Sequence, residues 1–185
     1  MPRTSDKRER LVAAAKDLIH RQGFGPTTLA DIAEASGVPL GNVYYYFKTK
    51  EEIGAAVVDQ RRADFQALFR EWEADPDPRA RLLALLDLLD SVREAVASHG
   101  CPVGSLCQEL DKGHSPLAEK ADGVIKAQVA WASEQFRLLG RADAAELAQE
   151  LIVGVHGASL VAHAMRDPAV LREKIRRMRE WLATV

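Results

Sequence analysis

Apolar positions recur along this chain with a helical period almost from its start. Leu11, Ala14, Ala15, Leu18 and Ile19 make one stripe of a helix predicted from about Ser5 to Gln22, with Gly23 as its C-cap. A short helix follows on Leu29, Ile32 and Ala33, opened by Thr28 and Asp31 as a capping-box pair and stopped at Ser36-Gly37. A third starts at Pro39 or Leu40 and reaches about Tyr46. Proline suits a first helical turn, where its missing N–H would have no partner anyway. Thr49 and Glu52 form a second capping box, predicting a long helix to about Trp72.

Pro76 and Pro78 break the pattern. The stretch from about Arg79 to Ser98 then carries Leu82, Leu83, Leu85, Leu86, Leu88 and Leu89. A helix apolar nearly all round belongs in the centre of its domain. Gly100, Pro102 and Gly104 interrupt, a short helix runs to about Asp111, and Gly113 and Pro116 break again. Helices over about 117–139 and 142–166 follow, and Pro168 opens a last one running close to Val185. Nothing reads as a strand ladder, so the expected fold is all-α with about nine helices.

Composition adds bounds. Of 185 residues, 47% are hydrophobic and 28% charged, the balance of a soluble globular protein. No apolar run approaches the ~20 residues that span a bilayer. The start, MPRTSDKRER, has no apolar signal-like core, and Cys101 and Cys107 make no disulfide framework. A cytoplasmic protein without membrane association is expected. The net charge of −2 hides an asymmetry. Residues 1–50 hold eight Lys/Arg against five Asp/Glu (net +3), and the remainder holds 17 against 22 (net −5). A basic head on an acidic body fits a small DNA-binding end joined to a larger domain.

The head has the pattern for it. Two short helices separated by Ala35-Ser36-Gly37-Val38 read as a helix-turn-helix, whose second helix enters the major groove. Val38, Val43 and Phe47 can pack that helix inward, leaving Leu40, Gly41, Asn42 and Tyr45 outside. Asn42 is the best direct reader, since an amide donates to and accepts from adenine's major-groove edge at once. Leu40 suits a thymine methyl, and Gly41 permits close backbone approach. Tyr44, Tyr45 and Tyr46 offer hydroxyls to phosphates, and Lys48 and Lys50 offer charge. The alternative for the tyrosines is a plain aromatic cluster, most of all for Tyr46. Thr28 and the amides opening the second helix suit a phosphate. Arg3, Lys7 and Arg8 suit a basic arm.

These residues carry a resemblance. Gly23-Phe24, Thr27-Thr28, Ile32-Ala33, Gly37-Val38 and the run Val43-Tyr44-Tyr45-Tyr46-Phe47 followed by Lys50-Glu51 resemble the TetR family of repressors over residues 11–54. The resemblance implies a dimer of all-α chains, a near-palindromic operator and a ligand pocket in the C-terminal body. It places Thr28, Ala30, Leu40, Gly41, Asn42, Tyr44, Tyr45 and Lys50 at DNA-contact positions. Ala30 departs from members with a basic or polar reader there. The expected organisation is a three-helix DNA-binding domain over residues 1–50 and a six-helix ligand-binding and dimerisation bundle over 51–185.

For the body, a homodimer through the last two helices is expected. Gly154 and Ala158, one turn apart, permit close approach, and Leu151, Val155, Val161, Ala162 and Met165 extend the apolar surface. Leu171, Ile175, Met178, Leu182 and Val185 form a second stripe. Core packing inside one chain is the alternative for both. Phe65, Phe69, Trp72, Trp131, Phe136, His156, Leu160 and His163 are candidates to line an effector pocket, or else plain core. His156 and His163 lack the companions of a metal site, and neither metal nor cofactor is expected. The segment His99–Leu110 resembles a TetR subgroup with a Gly-Cys motif, some members of which respond to electrophiles or oxidants. In that reading Cys101, placed just before a helix start and near His99, is a sensor thiol. Cys107, between Leu106 and Leu110, reads as a small buried hydrophobe, though it too borders the candidate pocket. An enzyme reading has only the pair Cys101–His99, two residues apart, and a helical adaptor reading conflicts with the intact Tyr44–Phe47 and Lys50 positions.

Overall fold

The computed structural model describes residues 4–111 and 115–185, so Arg3 and the expected break at Gly113 lie outside it. Among the described residues there are ten helices and no strand. They are α1 (Thr4–Gln22), α2 (Leu29–Ser36), α3 (Leu40–Tyr46), α4 (Lys50–Trp72), α5 (Pro78–Ser91), α6 (Arg93–His99), α7 (Gly104–Asp111), α8 (Pro116–Leu138), α9 (Ala144–Met165) and α10 (Pro168–Leu182). None is long and apolar enough to cross a membrane.

The tenth helix comes from a break inside the leucine-rich segment. At Ser91 the side-chain hydroxyl donates to the Leu88 carbonyl at 2.7 Å, and Arg93 Nη1 donates to the Asp90 carbonyl at 3.0 Å. Side chains that serve the carbonyls of the preceding turn let the backbone leave the helix there. Val92, at φ −106° and ψ 7°, is the joint. The helix predicted from Arg79 to Ser98 is therefore α5 and α6.

The chain divides into two compact units: Met1–Ala63 with Ser105–Val124, and Asp64–Gly104 with Ile125–Val185. The boundary expected near residue 50 falls inside the first unit, because the first half of α4 buries Ile53, Ala56, Val57 and Val58. Gly54 shows how tightly this part is built. A Cβ there would lie 2.7 Å from the Phe24 ring and 3.1 Å from Leu117. In the second unit, Leu82, Leu86, Leu151, Leu171 and Phe136 are fully buried and form the centre of one apolar core.

The last-helix stripe belongs to that core. Leu171, Ile175, Met178 and Leu182 of α10 are all buried within the chain. Gly154 likewise faces its own chain, with Lys174 and Met178 side chains 3.1–3.4 Å from where its Cβ would be. The outward apolar face lies on α9 instead: Val153 is 70% exposed, Leu160 53% and Met165 63%. Gly157 on this helix has open space around it.

Candidate functional site

The helix-turn-helix is set by local chemistry. Thr28 caps α2: its Oγ1 accepts from the Asp31 amide at 3.1 Å, and the Asp31 carboxylate accepts from the Thr28 amide at 2.8 Å. These bonds hold the Asp31 carboxyl below its usual range, the Thr28 amide being the larger cause. At the other end Gly37 adopts φ 64° and ψ 25°, a left-handed conformation that costs glycine little. Its amide and that of Val38 return to the carbonyls closing the helix. Arg10 of α1 donates to the Ser36 carbonyl at that same end, where a cation meets the negative pole of the helix.

On and beside α3 the inward positions are buried as expected, whereas Asn42, expected outside, is only partly so. Val38, Val43 and Phe47 are buried, while Leu40, Gly41, Tyr44 and Tyr45 are exposed and Asn42 and Tyr46 half-buried. Tyr45 is 72% exposed and meets Tyr46 edge-on at 5.0 Å. Ala30 is exposed on α2. A Cβ on Gly41 would meet nothing within 4 Å, so no packing within the chain demands glycine there.

Lys48, Lys50 and Arg8 already hold intramolecular partners. Lys48 Nζ donates to the Tyr44 carbonyl at 2.5 Å. Lys50 Nζ donates to the carbonyls of Phe24 and Gly25, at 3.0 and 2.7 Å, and stands 4.7 Å from the centre of the Phe24 ring. Arg8 lies over the Phe47 ring at 5.2 Å. The loop between α1 and α2 is held from two sides. Lys50 takes its carbonyls, and the Glu109 carboxylate on α7 accepts from the amides of Phe24 (2.7 Å) and Gly25 (2.5 Å). Glu109 escaped the sequence reading because its partners lie 84 and 85 residues away.

In the second unit the aromatic candidates cluster. Phe69 stacks on Trp131 with centroids 4.6 Å apart and planes 5° from parallel, and Trp72 tilts against both. Phe65 adjoins Phe69 at 6.0 Å. Trp131 Nε1 donates to Glu73 at 3.0 Å, so its polar atom is satisfied within the chain. Phe69 and Trp131 are buried in the apolar core of this unit, and Phe65 and Trp72 pack against it partly buried. Leu160 turns away from them onto the exposed face of α9, and Cys107 is buried on α7 in the first unit.

Cys101 and His156 come together. Cys101 Sγ lies 3.5 Å from His156 Nδ1 on α9 and accepts from the Gly104 amide at 3.3 Å. His156 Nε2 lies 3.0 Å from Oε1 of the buried Gln128 on α8. Burial pushes the thiol up, but His156, through hydrogen bond and charge, and the amides of Gly104 and Val103 outweigh it and hold the Cys101 pKa below its ordinary value. His99, the neighbour suggested by sequence, is an exposed residue at the end of α6. Between the two, Gly100 adopts φ 84° and ψ 176°, a region essentially reserved for glycine. His163 Nδ1 bonds the Ala97 carbonyl at 3.2 Å. Among the described residues no group of three or more His, Cys, Asp or Glu is placed to hold a metal.

Comparisons with known proteins agree with this architecture. Residues 11–57 match the model of bacterial regulatory proteins of the tetR family, and residues 78–178 match the tetracyclin repressor-like C-terminal domain. The transcriptional regulator LmrA of Bacillus subtilis is 31% identical over 73% of this chain and 73% of its own length. A TetR regulator from Legionella pneumophila superposes over 100% of this chain and 97% of its own, with a TM-score of 0.85 at 19% identity. The reduced form of NemR from Escherichia coli covers 94% of this chain and 96% of its own, with a TM-score of 0.80 at 22% identity. With models of the family matching both its head and most of its body, the chain belongs to the TetR family of helix-turn-helix transcriptional regulators.

Proposed function

We propose that this regulator is a ligand-responsive repressor that binds a near-palindromic operator as a homodimer and releases it when a small molecule or an electrophile acts on its C-terminal part. The observation that carries the DNA reading is the surface of α3, where Leu40, Gly41, Tyr44 and Tyr45 stand exposed on a helix anchored by buried Val43. In this reading Asn42 and Leu40 read base edges, and Thr28, Ala30, Tyr44 and Tyr45 lie along the phosphates. Lys48 and Lys50 contribute charge from ammonium groups that also brace the backbone of the domain.

One short recognition helix needs a second half-site about one helical turn away, which argues for a dimer. The exposed α9 face of Val153, Gly157, Leu160 and Met165 is the surface proposed for it. Release follows if the effector binds better to the state whose recognition helices miss the half-site spacing. Cys101 is the proposed point of electrophile action. NemR, described as a transcriptional repressor, is 28% identical over 62% of this chain, which favours repression as the mode.

The test is a mobility-shift titration of the full chain on DNA upstream of its own gene. A shift confined to a palindrome-bearing fragment, and reversed by an electrophile, is expected. Equal binding to scrambled DNA at every salt concentration would overturn the reading.

A further inference from the structure

Three segments distant in sequence meet around one sulfur. Cys101 lies in the turn after α6, His156 on α9 and Gln128 on α8. The bonding order among them has a direction. An amide oxygen can only accept, so with Gln128 Oε1 at 3.0 Å the His156 Nε2 carries a proton. A neutral imidazole then has its lone pair on Nδ1, which is the atom facing the thiol at 3.5 Å. Gln128 therefore selects the tautomer that accepts a proton from sulfur. This is the nucleophile–base–orienter arrangement that activates weak nucleophiles.

The remaining surroundings favour the same charge state. The Gly104 amide at 3.3 Å donates to the sulfur at the start of α7, where the positive pole of a helix stabilises an anion. Among the described groups, His156 is the ionisable one that acts on this thiol; α8 contributes uncharged Gln128, and the turn into α7 contributes the amides of Val103 and Gly104. The next histidine on α9, His163, bonds the Ala97 carbonyl instead. Cys101 remains partly accessible to solvent, whereas Cys107 is buried.

We propose that His156, oriented by Gln128, is the base that activates Cys101 toward soft carbon electrophiles of the α,β-unsaturated carbonyl class. The proposal deepens, and rests on, the reading of Cys101 as the electrophile-responsive residue. The thiol proton passes to His156 Nδ1, leaving a thiolate and an imidazolium. The sulfur lone pair attacks the β-carbon and forms the C–S bond, while the carbon–carbon π pair moves into the enolate. The imidazolium returns its proton to the α-carbon. The net change adds S–H across a double bond, with no oxidant consumed and no leaving group. A thiolate is the preferred partner for such carbons because it is both charged and polarizable. His156 touches the reacting sulfur; Gln128 is a positioning residue that acts through the ring.

The experiment uses the full chain and N-ethylmaleimide as the probe, with the second-order rate at Cys101 followed by mass spectrometry across pH 5–10. Operator release is measured in parallel on the labelled protein. An unperturbed thiol near pKa 8.5 is only about 3% ionised at pH 7. Weaker intrinsic nucleophilicity of a low-pKa thiolate offsets part of the gain. For His156→Gln, which keeps a polar side chain but cannot take the proton, a loss of about tenfold at pH 7 is expected, closing to parity above pH 9.5, where the thiol ionises unaided. Gln128→Leu should move the rate inflection upward by a smaller amount, because the base remains but its tautomer is no longer fixed. Far-ultraviolet circular dichroism checks that both variants fold, and unlabelled Cys107 serves as the internal reference.

If His156→Gln and Gln128→Leu both match the parent at every pH, the activation proposal is overturned, whatever the operator does. If the rates depend on His156 as described, the proposal stands. A label at Cys101 that then leaves operator binding unchanged would overturn only the functional reading of the thiol as a sensor.

Discussion

Gly41 offers a substitution whose effects on stability and on DNA binding should have opposite signs. It is the second residue of α3, and its backbone has no positive φ. A Cβ placed there meets nothing within 4 Å. Neither conformation nor packing within the chain therefore requires glycine. Gly41→Ala gains helix propensity of up to about 1 kcal/mol in a helix interior, and about 0.5 kcal/mol is expected in this first turn. For a chain of this size that raises the melting temperature by about 1–2 °C. On DNA the sign reverses. If α3 lies in the major groove with Gly41 toward the bases, the added methyl crowds a contact surface that glycine leaves open. Overfilling a packed contact costs about 1–3 kcal/mol, and a homodimer meets the cost in both half-sites. Affinity should fall by at least about thirty-fold, the equivalent of 2 kcal/mol. Thermal unfolding followed by circular dichroism, and fluorescence anisotropy on the operator duplex at fixed salt, give the two numbers. A more stable variant with undiminished affinity would refute the placement of this face of α3 against DNA. A less stable variant would refute the reading of the space around Gly41.

Other expectations concern the supports of the two proposed interfaces. Glu109→Gln removes the charge that the amides of Phe24 and Gly25 share, and should lower stability in urea unfolding by about 1–2 kcal/mol; an unchanged midpoint and slope would show that the clamp contributes nothing. The Asp31 carboxyl titrates below its ordinary 3.8 in the folded chain, so its cap contributes stability above that pH and loses it as pH falls through the lower folded value. Asp31→Asn should therefore flatten the acid limb of the stability profile below about pH 4, and a limb that keeps its full slope would contradict this. Val153→Lys with Leu160→Lys places two charges on the exposed apolar face of α9. Sedimentation velocity should then show monomers that circular dichroism finds folded, whereas an intact dimer would move the interface elsewhere.

Features written in local sequence were legible, and those made by distant encounters were not. The stripe of Leu11, Ala15 and Ile19, the capping box of Thr28 and Asp31, and the turn at Gly37 depend on neighbours within a few residues, and all three stand in the structure. The break at Val92 escaped because the leucine pattern continues across it; the hydroxyl of Ser91 and the guanidinium of Arg93 were the available signs. The stripe of Leu171, Ile175, Met178 and Leu182 was legible as a face but not as to what covers it. Periodicity marks what is buried and carries no record of whether the cover is the same chain or another.

The sulfur site shows the same division with a chemical consequence. Adjacency in sequence suggests His99 as the neighbour of Cys101, but the histidine within 3.5 Å of its sulfur is His156. The partner came from 55 residues further on, and the group that orients it from 28 residues before that. One sign of Gln128 was present all the same: its carboxamide shares a face of α8 with the apolar Val124, Ile125, Trp131 and Ala132. A polar side chain only 4% exposed must find a partner, because an unsatisfied buried amide costs about 1–3 kcal/mol. In a helical protein of this kind, an unexplained glutamine on an apolar face is thus a sequence-level pointer to a buried polar group. Its partner here is an imidazole, and through the imidazole a thiol.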